Sequence, residues 1–163
     1  MIFKQAIIHW RNHAPWIEDA QVEQDLILSG MIFKIYSDHI LTQDLAFRGG
    51  TCLNKLYWEK PTRYSEDLDF VQIKSGKIGT LIDRLRGVSD PLFSDPPTWE
   101  RRRNGFRLYY SFLPEGGGAA KNIKVEINTR EHFSVEGFVK QSLKLDSPWM
   151  SGTVPVTTFS FEE

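Results

Sequence analysis

Two aspartates, Asp67 and Asp69, stand two residues apart in SEDLDF, shortly after a glycine pair, Gly49-Gly50, in AFRGGT. The tract from Asp67 to Ile73 alternates polar and apolar residues, which predicts a strand with Leu68 and Phe70 on one face and both carboxylates on the other. Like charges side by side repel, and a divalent cation relieves the repulsion. Mg2+ takes oxygen ligands, commonly one or two protein carboxylates with substrate phosphates, so the pair suits phosphoryl or nucleotidyl transfer. Glu126, on the polar face of NIKVEINTR, would add a third carboxylate. The same residues also describe ordinary solvated faces of two strands.

The glycines complement the acids. A Gly-Gly turn leaves backbone N–H groups open to a phosphate with no side chain in the way. Thr51 adds a hydroxyl, and Lys55, one turn further on, adds a point charge if its helix faces the site. Arg63 and Ser65, just ahead of the aspartates, would add a guanidinium and a second hydroxyl. The plainer alternatives are a simple turn, a helix-surface lysine, and an Arg63 paired with Glu66 or Asp67.

Positioning these groups requires a strand, a turn and a helix in succession. Leu45-Ala46-Phe47 reads as a short buried strand, Gly49-Gly50 as its end, and Thr51 to Trp58 as a helix stopped by Pro61. Ahead of it, the segment from Trp16 to Ile40 places Ile17, Val22, Leu26, Ile32 or Phe33 and Tyr36 at helical spacing, which predicts a long amphipathic helix bent near Gly30. A further helix is expected over 78–88. RRRNGFRLYYSFL and NIKVEINTR read as two strands of an antiparallel hairpin joined by PEGGGAAKN, the second with Ile123, Val125 and Ile127 buried and Lys124, Glu126 and Asn128 on the polar face.

The 163 residues, 40% of them hydrophobic, suffice for one globular domain over 1–163. A net charge of −1 excludes a global positive field but not a local basic patch. The lone Cys52 permits no intrachain disulfide, and no apolar run approaches a membrane span, so a soluble cytoplasmic protein is expected, with no membrane partner. His9, His13, His39 and His132 lack zinc-like spacing. Neither a Gly-x-Ser-x-Gly elbow nor a Gly-x-x-x-x-Gly-Lys loop is present. The run from Trp99 to Arg107, with Tyr109 and Tyr110, mixes cations and aromatics as nucleic-acid surfaces do, and equally as a strand with arginines on its wet side does.

Phe47-Arg48-Gly49-Gly50-Thr51-x-Leu53-x-Lys55 and Arg63-x-Ser65-x-Asp67-Leu68-Asp69 resemble the first two motifs of the AbiEii/AbiGii-type nucleotidyltransferase toxins, within the DNA polymerase β-like nucleotidyltransferase superfamily. The helix carrying Asp25 is similar as well. The resemblance implies an α/β (α+β) nucleotidyltransferase fold with a mixed sheet flanked by helices. It implies NTP phosphates at Gly49, Gly50 and Thr51, catalytic Mg2+ or Mn2+ on Asp67 and Asp69, and supporting roles for Lys55, Arg63 and Ser65. Glu126 fits the superfamily's third acid by strand context. The implied reaction transfers NMP from an NTP to an acceptor hydroxyl, with tRNA as acceptor and an antitoxin as partner, in abortive infection or phage defence. The alternative is a non-catalytic domain that binds a nucleotide or a protein. The family continues into a helical region with a further lysine and an Arg-Asp motif. Ser160-Phe161-Glu162-Glu163 has the spacing of a helix-starting capping box, so this chain is expected to be the front of a longer protein.

Overall fold

A computed structural model describes residues 2–58, 64–131, 134 and 136–160. Pro61, Arg63, His132 and the Phe161-Glu162-Glu163 end lie outside them. In chain order the elements are α1 (Lys4–Trp10), α2 (Asp19–Tyr36), α3 (His39–Asp44), β1 (Leu45–Arg48), α4 (Gly49–Cys52), β2 (Asp67–Gln72), α5 (Gly79–Ser89), β3 (Thr98–Arg102), β4 (Gly105–Phe112), β5 (Lys121–Asn128), β6 (Phe138–Asp146) and β7 (Ser151–Phe159). A π-helical turn, Leu53–Tyr57, follows α4, and a 3-10 turn, Asp90–Leu92, follows α5.

The strands form one mixed sheet in the order β3-β4-β5-β2-β1-β7-β6, parallel where β2 meets β5 and where β1 meets β7. Period-two alternation gives the sheet its two faces. Leu68 and Phe70 of β2, Val125 and Ile127 of β5, and Phe106 and Leu108 of β4 are buried under the helices, where Tyr36 of α2 meets Phe70 at 6.3 Å between ring centroids. The opposite parity carries Arg48, Asp67, Asp69, Lys124, Glu126 and Arg107.

Five expectations are corrected by the structure. The helix α2 is buried on nearly all sides, with every residue from Val22 to Ile32 withdrawn from solvent, because α1 and α5 as well as the sheet pack around it. Ile17, by contrast, precedes the helix and is 93% exposed. Gly30 lies within an unbroken helix, and its role is steric: a Cβ there would come within 2.4 Å of the Trp149 ring. RRRNGFRLYYSFL is itself a hairpin, β3 turning at Arg103-Asn104 into β4, and a Cβ on Gly105 would lie 2.2 Å from the Ile127 carbonyl. The segment after the glycine pair begins its helical turn at Gly49 and widens at Leu53, where Trp58 N–H donates to Leu53 O at 3.1 Å.

Four elements went unread in the sequence: α1, α3, β6 and β7. Pro155 argues against a strand in GTVPVTTF, yet β7 pairs with β1 only at Thr158, so the missing proline N–H falls where that flank has no ladder to complete. No described helix is long and apolar enough to cross a membrane.

Candidate functional site

The site is assembled where β1 and β2 lie antiparallel and β5 joins β2 in parallel. Register places Asp67 opposite Lys124 and Asp69 opposite Glu126, while Arg48 and Arg107 extend the Asp69 row on either side. The two aspartates therefore share a face, as the alternation predicts, and Glu126 stands beside them. Burial, and then the charges of Glu126 and Asp67, push the Asp69 carboxyl above its usual range, with Lys124 and Arg48 opposing the rise.

Gly49 seals one side of this acid face. Its φ of 89° favours glycine, and a Cβ built there would lie 2.7 Å from Asp69 Oδ2. The turn backbone therefore lies directly against the carboxylate. Gly50 follows as the second residue of α4. Thr51 is buried, and its hydroxyl donates to Asp67 O at 2.6 Å. A threonine has one hydroxyl proton, so in the Thr51–Ser65 hydrogen bond the Ser65 hydroxyl donates to Thr51 Oγ1. These hydroxyls, offered by the sequence as phosphate contacts, hold the start of β2 against the glycine turn.

Lys55 is likewise engaged. Its ammonium meets Asp25 Oδ2 at 2.6 Å, and Trp10 Nε1 donates to the same oxygen at 2.8 Å. Lys55 Nζ also lies 5.8 Å from the centroid of the Trp10 ring. The neighbouring Gln24 accepts from Tyr64 and donates to Asn122 O at 2.9 Å. Two adjacent residues of α2 thus grip the turn after the glycines and the loop before β2.

Sequence reasoning missed two cations. Lys124 Nζ lies 3.5 Å from Asp67 Oδ2 and 3.6 Å from Glu126 Oε2, and Arg107 Nε donates to Glu126 Oε2 at 3.0 Å. Alternation put Lys124 on the correct face, but only the β5-β2 adjacency reveals the acids it bridges.

A cation fits the acid face, since an ammonium already lies between two of its carboxylates. Among the described residues no three His, Cys, Asp or Glu side chains converge tightly enough to ligate one ion. A carboxylate pair completed by phosphate oxygens is the donor set that remains, and it suits Mg2+ or Mn2+. Cys52 is buried, and burial pushes its thiol up to about 11, so it is not a nucleophile.

A family model described as nucleotidyl transferase AbiEii toxin, type IV TA system, matches residues 32–163. Among solved structures, the chain is similar to MenT4, a nucleotidyltransferase toxin from Mycobacterium tuberculosis H37Rv, with a TM-score of 0.57 and 17% identity over 95% of this chain and 55% of that one. It is also similar to JHP933 from Helicobacter pylori, with a TM-score of 0.53 and 14% identity over 83% of this chain and 53% of that one. These likenesses establish the nucleotidyltransferase fold, and the chain spans about half the length of each structure. No curated protein sequence matches it.

Proposed function

From the premise that this chain belongs to the AbiEii family of nucleotidyl transferase toxins, we propose that it moves NMP from an NTP to an acceptor hydroxyl, as the toxin of a toxin–antitoxin pair. The observation that carries this reading is Asp69, a carboxylate set beside two others and pressed against the open backbone of Gly49. Electrostatic crowding of this kind is costly in a merely structural strand face and useful in a site that receives a cation.

In the reaction, the acceptor oxygen bonds to the α-phosphorus, the bridging oxygen to the β-phosphorus leaves with pyrophosphate, and the acceptor proton is lost. Gly49 and Gly50 present the phosphates with a backbone free of side chains, beside the acids. Thr51 and Ser65 fix the distance from that turn to Asp67. Lys55 orders the following turn through Asp25. Arg63, which the family motif pairs with Ser65, would add a cation to the phosphates. Asp67 and Asp69, with Glu126 beside them, would hold Mg2+ or Mn2+, which when bound lowers the pKa of an attacking hydroxyl and offsets charge on the phosphates. Arg107 and Lys124 hold the Glu126 carboxylate in place. The acceptor is proposed to be tRNA, the setting the cytoplasm, and the role abortive infection or phage defence held in check by an antitoxin.

A second reading, a non-catalytic binding domain, draws on one observation: the Thr51, Ser65 and Lys55 groups already have protein partners. The test incubates the full-length protein with α-phosphate-labelled NTPs, Mg2+ and total tRNA. Labelled RNA is expected, and Asp67→Asn should lower its yield by about 10²- to 10³-fold, the scale of losing one preorganised charged group. Undiminished labelling in Asp67→Asn would refute the role of the acids, and bound NTP without labelled RNA would favour the binding domain.

A further inference from the structure

The β3–β4 hairpin carries cations that the proposed chemistry does not use. Arg101 and Arg102 end β3, Arg103 sits in the turn, and Arg130 follows β5 next to it. Two adjoining clefts meet at this tip. One, of about 330 Å³, is lined by Arg102, Arg103, Arg107 and Glu126, and the other, of about 230 Å³, by Arg101, Arg103 and Arg130. Glu126 in the wall of the first cleft joins it to the acid face, while the second is lined by Phe106 and by Arg101, which stand in register on the other face of the sheet.

Charge pairing separates these residues. Arg102 is offset by Glu100 at 3.1 Å and Arg107 by Glu126 at 3.0 Å. Arg101, Arg103 and Arg130 have no acidic partner among the described residues, and Arg130 Nε donates to the Arg103 carbonyl at 3.4 Å. Three guanidinium groups at one corner of a chain with a net charge of −1 create a local positive field that composition conceals. Beside Arg101 on the same strand, Trp99 is 59% exposed and stacks on Phe106 at 5.6 Å, leaving an aromatic surface next to the cations.

The sheet order gives this corner a direction. The glycine turn follows β1, the acids lie on β2 and β5, and the arginines cluster at the β3–β4 tip, Arg101 on the edge strand β3, Arg103 in the turn and Arg130 just past β5. An in-line displacement requires the attacking oxygen and the departing pyrophosphate on opposite sides of the phosphorus. With pyrophosphate at Gly49-Gly50, the attacking oxygen arrives from the β5–β4 side, and the strand bearing it leaves the acid face over the free edge of the sheet, around which Arg103 and Arg101 stand. We infer that the β3–β4 hairpin holds the sugar–phosphate backbone of the acceptor polynucleotide, through Arg101, Arg103 and Arg130. The inference rests on the transferase reading for its direction, and its test is independent of catalysis.

The probe is a fluorescein-labelled single-stranded RNA of mixed sequence, titrated against the full-length protein without NTP or Mg2+ across a salt series and followed by anisotropy. The double variant Arg101→Gln/Arg103→Gln should bind at least about tenfold more weakly, and its slope of log affinity against log salt should fall by about 0.7 for each lost phosphate contact. The double variant Lys140→Gln/Lys144→Gln, with the same charge change on exposed positions of β6, should bind as the parent does. Equal loss in both pairs would reduce the effect to net charge and overturn the inference, as would binding indifferent to Arg101 and Arg103. Displacement of the RNA by polyglutamate at equal charge concentration would overturn it in favour of an acidic protein partner. If NTP label is transferred while RNA binding ignores the arginines, the hairpin assignment fails alone. If the arginines bind RNA and no label moves, the transferase reading fails and the RNA surface stands.

Discussion

Asp25 on α2 and Asp69 on β2 are both drawn out of solvent, and their surroundings differ in kind. Asp25 receives an ammonium at 2.6 Å and an indole N–H at 2.8 Å. Asp69 faces Glu126 in register, has Asp67 two residues away on the same face, and has a glycine backbone against its side chain. A buried carboxylate with donors around it fixes structure, whereas one among its own kind is held ready for a ligand. The contrast assigns two roles to two residues of the same type.

The largest effect should come from breaking the satisfied aspartate. Asp25→Ala leaves the Lys55 ammonium without its partner, and removing one member of a buried pair costs about 3–5 kcal/mol. Urea denaturation should show that loss, and Asp25→Leu combined with Lys55→Met should recover most of it. Failure of the combined variant to recover would mean that the pair is more than mutually compensating charge.

A smaller effect is expected at the glycine that touches the other aspartate. Gly49→Ala imposes a φ of 89° on a residue with a Cβ and brings that carbon to 2.7 Å from Asp69 Oδ2. Strain of this kind costs about 1–3 kcal/mol, and the displaced carboxylate should lower label transfer as well. An alanine variant with parental melting temperature and parental transfer would show that the close approach is immaterial.

The smallest effect has the opposite sign. Because the folded-state pKa of Asp69 is raised above 3.8, its contribution to stability is complete below the unfolded pKa and is lost as pH rises through the folded value. At neutral pH the native protein bears that loss, discounted by the solvent reaching a half-buried group. Asp69→Asn should therefore raise the melting temperature at pH 7 by about 2–4 °C, the shift that about 1 kcal/mol produces at this chain length. The gain should shrink on acidification, as the wild-type carboxyl takes up its proton above the ordinary aspartate range. A destabilised Asp69→Asn at pH 7 would align Asp69 with Asp25 and erase the contrast.

Local patterns made much of this readable. Alternation in DLDFVQ and IKVEIN placed Asp67, Asp69 and Glu126 on polar faces, and Gly49-Gly50 marked the turn, whose first residue has the positive φ that favours glycine. The partner of Lys55 could not be read, since Asp25 stands 30 residues earlier on a helix whose packing, not its periodicity, buries it. Lys124 and Arg107 belonged to legible strands, but the acids they meet depend on a strand order that crosses from β2 to β5 and β4. The Asn104-Gly105 pair was an available hairpin signal within the arginine run. β6 and β7 lacked so clean a cue, with Pro155 interrupting the second.

The place of β1 between β2 and β7 also bears on when the site comes into being. One side of β1 is paired by β2 soon after both emerge, while the other waits for β7, where Thr158 Oγ1 donates to the Phe47 carbonyl across a separation of 111 residues. Contacts of such reach close late in folding. Pulse-labelled hydrogen exchange over 45–58 would time the event. A chain still on the ribosome therefore carries the glycine turn on a half-supported strand, and the acid face beside that turn gains its second flank only once residue 158 is free to pair.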